Sequence, residues 1–218
     1  MEFREVVRRR RMVRRYDARS VDPEVVTRIL SDATRAPSAG FTQAVEFIVL
    51  DTPGQVAGFW AAASEPGASS TWLVGMRTAP VVVVPLTSRE AYVDRYAAAD
   101  KGWVAADEAR WPAPWWYVDA GMSTLLVLQG AVDAGLGACF FGIPPERVTQ
   151  VAEALAIPAS HQPIGAITIG HRLTDDAGPA GSPGRRPRRD PADRIHRGGW
   201  RDSASTSADS GSTSADSG

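Results

Sequence analysis

Residues 118–134 constrain this chain more than any other stretch. They read as a helix that is apolar almost all round, with Asp119 and Asp133 its only charged side chains. A surface helix is apolar along one stripe, so a helix of this kind must be covered on every side, by its own chain or by a second subunit. Gly135-Leu136-Gly137 ends it, and residues 138–141 follow as a short strand. A second run, Pro80 to Leu86, is short, continuous and rich in Val. That pattern predicts a strand buried on both faces. The remaining elements have to wrap these two.

Their order can be read from periodicity and punctuation. Phe3, Val6 and Val7 fall at helical spacing, which predicts a first helix over 2–11. Asp22 before Pro23 is an N-cap followed by Pro at the first helical position, with Val25, Val26, Ile29, Leu30 and Ala33 as the apolar stripe. That helix stops before Pro37, and residues 37–43 have turn chemistry. A strand is expected over 45–50 and a helix over 53–63. A Gly/Ser-rich loop follows near 64–71. A helix is expected over 89–99, an amphipathic helix over 146–155 and a last strand over 164–169. Residues 103–117 bring together Trp103, Trp111, Trp115, Trp116 and Tyr117, interrupted by Pro112 and Pro114. Strands and helices do not alternate regularly, which favours α+β over a doubly wound sheet. The domain boundaries expected are 1–173 for the folded region, a linker at 174–184, a basic arm at 185–201 and a low-complexity tail at 202–218, where STSADSG occurs twice.

Charge is unevenly placed. Residues 1–16 carry a balance of +5 and residues 185–201 another +5, while the region between them is acidic and the whole chain is at −1. Lys101 is the single lysine. A cationic cluster at each end suits a nucleic-acid surface, a small anion clamped by both termini, or a solvated helix face with a flexible tail. Charge alone does not choose among them. The composition is that of a globular protein, and no stretch is long and apolar enough to span a membrane. The basic N-terminus has no apolar block behind it, so a cytoplasmic chain is expected.

The usual catalytic signatures are missing from the sequence. There is no GxxxxGK[ST], HExxH, GxSxG or SxxK, and His161, His171 and His196 are not at metal-ligand spacing. Gly135-Leu136-Gly137 follows a helix and lacks the third Gly of a dinucleotide fingerprint. Cys139 sits among apolar neighbours and reads as a buried small hydrophobe. A chain without nucleophile, base or metal either binds something or takes its chemistry from a cofactor.

Five segments, taken in order, resemble the nitroreductase family of FMN-dependent oxidoreductases. Arg10-Arg11-Met12-Val13-Arg14-Arg15-Tyr16 is similar to the family's Arg-Arg-Ser-Val-Arg-x-Phe/Tyr. Ala36-Pro37-Ser38-Ala39-Gly40-Phe41-Thr42-Gln43 is similar to Ala-Pro-Ser-Ala-x-Asn-x-Gln. Residues 119–142 look like the long buried helix ending in Gly-Leu-Gly, a short strand and a Gly. Residues 164–170 look like the strand that closes on Gly-Tyr-Pro. Arg186-Pro187-Arg188 with Trp200 resembles the C-terminal Arg-x-Arg. The likeness covers residues 2–200.

The resemblance implies an α+β nitroreductase-like fold, with a central mixed or antiparallel sheet flanked by helices around a buried long helix. It also implies an intertwined homodimer with one FMN at each subunit interface, and NAD(P)H as electron donor. By the same carry-over Arg10, Arg11 and Arg188, or Arg186 in a shifted register, hold the phosphate end. Arg14 lies at the flavin N1/O2 edge, where a cation favours charge that appears on reduction. Met12, Pro37, Ser38, Ala39, Phe41, Gln43, Phe140, Phe141 and Gly142 complete the cofactor site, and Phe41, Trp111, Trp115 and Trp116 face the substrate. Four departures stand out. Met12 replaces a small hydroxyl residue, Phe41 an Asn, Phe140-Phe141 an Ile-Glu pair found in some members, and His171-Arg172 the usual Tyr-Pro. They make the expected pocket more aromatic.

The activity implied is ping-pong transfer of hydride from NAD(P)H to a nitroaromatic, quinone or similar electrophilic acceptor, with neither nucleic acid nor membrane as partner. A specialised biosynthetic member, with a dedicated substrate or a deazaflavin partner, is the alternative within the family. A flavin carrier or a nucleic-acid binder is the alternative outside enzymology.

Overall fold

The apolar run at residues 81–87 becomes the centre of the sheet. In the computed structural model, which describes residues 1–103, 110–173, 186 and 188–201, strand β2 (Val81–Thr87) is buried along its whole length. On one side it pairs antiparallel with β1 (Val45–Leu50), Val45 opposite Thr87 and Leu50 opposite Val82. On the other it pairs antiparallel with β5 (Ala166–Gly170) and with the two-residue β4 (Gln162–Pro163). Strand β3 (Gly137–Phe141) is antiparallel to β5, giving the order β1-β2-β5-β3.

Side chains alternate across this sheet, so it buries both faces. Val81, Val83, Ala138, Ile167 and Ile169 pack on one side against α2 (Pro23–Ala33) and α6 (Trp115–Asp133). Val82, Val84, Leu86, Cys139 and Ala166 pack on the other against α3 (Pro53–Ala63), α4 (Thr71–Met76) and α7 (Val148–Ala154). Each fully buried Val or Ile contributes about 1.5–3 kcal/mol, and β2 makes such burial possible in both layers. Helices α1 (Phe3–Arg9) and α5 (Arg89–Ala97) complete this α+β unit.

Local chemistry sets the ends of these elements. Asp22 accepts from the Glu24 N–H at 2.9 Å ahead of Pro23. Thr52 and Gln55 form a capping box at α3. Helix α6 begins at Trp115, three residues before the expected start, because the Pro114 carbonyl accepts from the Tyr117 and Val118 N–H groups. The first turn of α6 therefore takes up Trp115, Trp116 and Tyr117. Helix α1 stops at Arg9, since Arg10 leaves the helix with ψ 122°. Helix α4 lies just past the Gly/Ser loop, capped by Ser70; six residues are too few for periodicity to show. The last strand splits into β4 and β5 around Gly165, whose φ is +148°. A Cβ there would meet the Phe141 carbonyl oxygen at 2.6 Å and the Phe140 ring at 2.7 Å.

The chain divides into two compact units, residues 1–176 and 177–218. In the second, Asp190 caps a single 3-10 turn, Pro191–Asp193, and His196 stacks on Trp200 at 4.4 Å. The expected linker at 174–184 and the tail at 202–218 lie outside the described residues. No helix among the described residues is long and apolar enough to cross a membrane.

Gly137 is required by packing. A Cβ on it would meet three carbons of Val13 at 2.8–2.9 Å. Gly137→Ala should cost about 1–3 kcal/mol by overpacking. It should also push residues 12–14 off the β3 edge, and urea unfolding checks the stability loss.

Candidate functional site

The first half of the site is the 10–16 segment along the β3 edge. Met12 bridges Ala138 in parallel, and the Val13 N–H donates to the Ala138 carbonyl at 3.0 Å. Tyr16 then pins the chain. Its hydroxyl donates to the Val13 carbonyl at 2.5 Å and lies 2.8 Å from Thr168 Oγ1, and its N–H donates to Thr78 Oγ1 at 2.9 Å. Burial pushes the Tyr16 phenol above its ordinary range, so it remains a donor. Arg14 is half-buried between these anchors. Its Nη1 donates to the Met12 carbonyl at a long 3.4 Å. Its charge reaches Cys139, where it opposes the upward push that burial gives the thiol.

Arg10 caps the end of α1 and is half-buried. Its Nη1 is buried and without a hydrogen-bond partner among the described residues. Arg11 turns the other way: it is exposed and donates to the Arg8 and Arg10 carbonyls, at 2.8 and 3.3 Å, at the C-terminal end of α1. Met12 packs between the two cores. The Phe141 ring stacks on Trp60 at 5.4 Å and meets Phe59 and Trp72 edge-on. Phe140 packs on the α2/α6 side. Both rings are thus held by the cores, and Gly142 is exposed at the strand end.

The second half is the 37–43 loop. Ser38 Oγ accepts from the Gln43 N–H at 3.0 Å, and Thr42 Oγ1 donates to the Ala39 carbonyl at 2.6 Å. The Ala39 N–H donates to Asp119 Oδ2 at 2.7 Å, and Arg95 Nε donates to the Gly40 carbonyl at 2.8 Å. Gly40, Phe41 and Gln43 all have left-handed backbone, φ +63°, +54° and +54°. Non-glycine residues rarely hold that conformation, and such strain concentrates at functional loops. Phe41 stands 75% exposed on this turn. Pro37, Ser38, Gln43 and Ser123 help line a pocket of about 200 Å³.

The three predicted substrate tryptophans separate. Trp111 and Trp116 are half-buried in an aromatic cluster, each 6.4 Å from Tyr92. The Arg89 guanidinium lies 5.7 Å over Trp116. Trp115 is more open, 39% exposed. Arg186 and Arg188 belong to the second unit, and both are exposed there. Sequence reasoning missed Tyr92, Arg95 and Asp119 behind the loop, and the exposed Trp72 beside Phe141. Asp119 had a signal, being a charge inside an apolar helix.

Within one chain the two halves lie at opposite ends of α6. Asp119, near its start, holds the loop, and Asp133, at its end, binds the N-terminal amine at 2.6 Å beside α1. These two residues are about 20 Å apart along the helix axis.

A sequence model of the nitroreductase family matches residues 7–171. The chain belongs to the nitroreductase family. The match runs from α1 to just past β5 and so includes both halves of the site. A family relative in Methanothermobacter thermautotrophicus, named NADH dehydrogenase/NAD(P)H nitroreductase, is 27% identical over 92% of this chain and 88% of its own. Among solved structures, NfrA2 of B. megaterium has a TM-score of 0.72 at 20% identity, over 94% of this chain and 77% of that one. A Desulfovibrio desulfuricans protein described as a nitroreductase in complex with FMN has a TM-score of 0.66 at 22% identity, over 92% and 99%. Both structures share the nitroreductase fold.

Proposed function

We propose that this chain is an FMN-dependent oxidoreductase that works as a homodimer and passes hydride from NAD(P)H to an aromatic or electrophilic acceptor. The observation that carries the reading is Arg10. A buried guanidinium nitrogen without a partner costs free energy, and a bound phosphate relieves that cost with a charge-assisted hydrogen bond. The remaining groups fit the rest of FMN. Arg14 is fixed from both sides as a second cation. The left-handed 38–43 loop offers Ser38 and an exposed aromatic face. Gly142 is exposed at the end of β3.

When bound, FMN supplies the two-electron chemistry, taking hydride from a nicotinamide and giving it to the acceptor. The protein's residues do the rest. Arg10 would hold the phosphate end, and Arg11 would join it only by releasing the Arg8 and Arg10 carbonyls. Arg14 would set a positive charge at the pyrimidine edge. Met12, Phe140, Phe141 and Gly142 would flank the ring with their backbone, since the Met12, Phe140 and Phe141 side chains pack in the cores. Pro37, Ser38, Ala39, Phe41 and Gln43 would close the site from the partner subunit, and Trp111, Trp115 and Trp116 would form the acceptor wall, with Trp115 the most open of the three. No side chain is required as acid or base. Alternate use of one site by donor and acceptor would give parallel initial-rate plots.

The homodimer is supported by α6. Val118, Gly121, Met122 and Leu125 recur at i, i+3, i+4 and i+7 on the side the chain leaves open, with Val118 40% and Leu125 45% exposed. A second apolar stripe on a buried helix fits a matching copy. Two antiparallel copies of α6 would also bring the loop of one chain to the Arg10–Arg14 end of the other.

Phe41 favours a narrower second reading, a dedicated planar acceptor, because the family's Asn is replaced here by an exposed aromatic ring. The test of the FMN site is Arg10→Ala. FMN titration followed by flavin fluorescence should give about tenfold or greater loss of affinity, as for one charge-assisted bond. Unchanged affinity would remove Arg10 from the phosphate site.

A further inference from the structure

A buried carboxylate stands behind the 38–43 loop, and the chemistry above makes no use of it. Asp119 is 2% exposed. Its Oδ2 accepts from the Ala39 N–H at 2.7 Å and from the Tyr92 hydroxyl at 2.6 Å. An apolar residue would suit this face of α6 better, since a buried carboxylate costs free energy that only good hydrogen bonds offset. Both bonds are short and charge-assisted. Tyr92 is itself fully buried and held edge-on by Trp111 and Trp116. Burial and the Asp119 carboxylate push its phenol upward, so it stays a donor.

The same loop is gripped from α5. Arg95 donates to the Gly40 carbonyl while both its terminal nitrogens bond Asp100 at 2.7 Å. The Tyr96 ring fills the space where a Gly40 Cβ would sit, 2.8 Å away. These groups converge on the turn in which Phe41 and Gln43 adopt left-handed backbone. Neither residue prefers that conformation by itself, so the surroundings impose it.

We propose that Asp119 is a positioning residue for the cofactor loop. Acting through the Ala39 N–H and Tyr92, it sets the left-handed turn that presents Ser38 and Phe41 to FMN. This rests on the reading that the loop holds FMN.

The test compares Asp119→Ala, Asp119→Asn and Tyr92→Phe with the wild-type dimer. Loss of the acceptor in Asp119→Ala should weaken FMN binding about tenfold or more. It should also change the induced visible circular dichroism of FMN at saturation, which reports ring orientation. Asp119→Asn keeps an oxygen for Ala39 and should recover most of the affinity and the wild-type signal. Tyr92→Phe should weaken FMN about threefold alone and add nothing in the Asp119→Ala background, because it acts through Asp119.

A purely structural carboxylate would lower the melting temperature and leave the saturated signal unchanged, which would overturn the proposal. So would an Asn variant as impaired as the Ala variant. If Asp119→Ala does not fold, Tyr92→Phe decides, and wild-type affinity and signal in that variant would overturn it. Failure of the wild-type protein to take up FMN would overturn the FMN reading and this one together. Normal wild-type binding with unaffected variants would overturn this one alone.

Discussion

Arg14→Ala should slow the reduction of bound FMN by NAD(P)H about a hundredfold, the usual effect of removing one preorganised group that faces developing charge. The expectation follows from how the residue is held. Met12 and Val13 are tied to Ala138, and Tyr16 to Val13, Thr78 and Thr168, so the Arg14 backbone has no freedom to drift. Its only hydrogen bond among the described residues is the long one to the Met12 carbonyl, so the guanidinium is open to a ligand. Arg14→Lys should fall between, because it keeps charge without the planar fork. Anaerobic stopped-flow absorbance at saturating FMN measures the rate. A wild-type rate in Arg14→Ala would place the cation away from the reacting edge.

Leu125→Asp should give a monomer that does not retain FMN. Leu125 stands 45% exposed near the middle of α6, at the C-terminal end of its open stripe, with Val118 two turns away. In a two-fold interface each residue acts twice, so one substitution removes two buried leucines, about 1.5–3 kcal/mol each. It also sets two carboxylates near one axis, which costs more when they are desolvated. Light scattering after size exclusion should show half the wild-type mass. Flavin should be lost at the same step, because in the proposed dimer the loop and the Arg10–Arg14 segment would come from different copies. A monomer that binds FMN with unchanged affinity would show that one chain completes the site.

Much of this fold is written in local pattern. The two-sided burial of β2 follows from four consecutive valines, and the ends of α2 and α3 follow from Asp22-Pro23 and Thr52-Pro53. The start of α6 was less legible. Pro112 and Pro114 read as breakers, yet Pro114 can serve as an N-cap because it needs only its carbonyl. Helix α4 rests on a local Ser70 cap over six residues, too few to show a period, and the β4/β5 break depends on tertiary fit at Gly165.

The site divides the same way. The order of motifs pointed to residues 10–16 and 37–43, and side-chain direction separates the residues within them. Arg10 and Arg11 are neighbours in a basic run, but one is buried without a partner and the other folds back on α1. Trp111, Trp115 and Trp116 looked equivalent, but only Trp115 is open. The groups behind the loop, Tyr92, Arg95 and Asp119, come from helices far from it in sequence, so no motif contains them.

The most direct test is an anaerobic visible spectrum of the protein loaded with FMN, before and after NADH or NADPH is added. The account predicts a protein-bound flavin band that bleaches with one of the two nicotinamides and returns when an aromatic acceptor such as a quinone is supplied. A flavin that stays with the protein and does not bleach with either nicotinamide would contradict it.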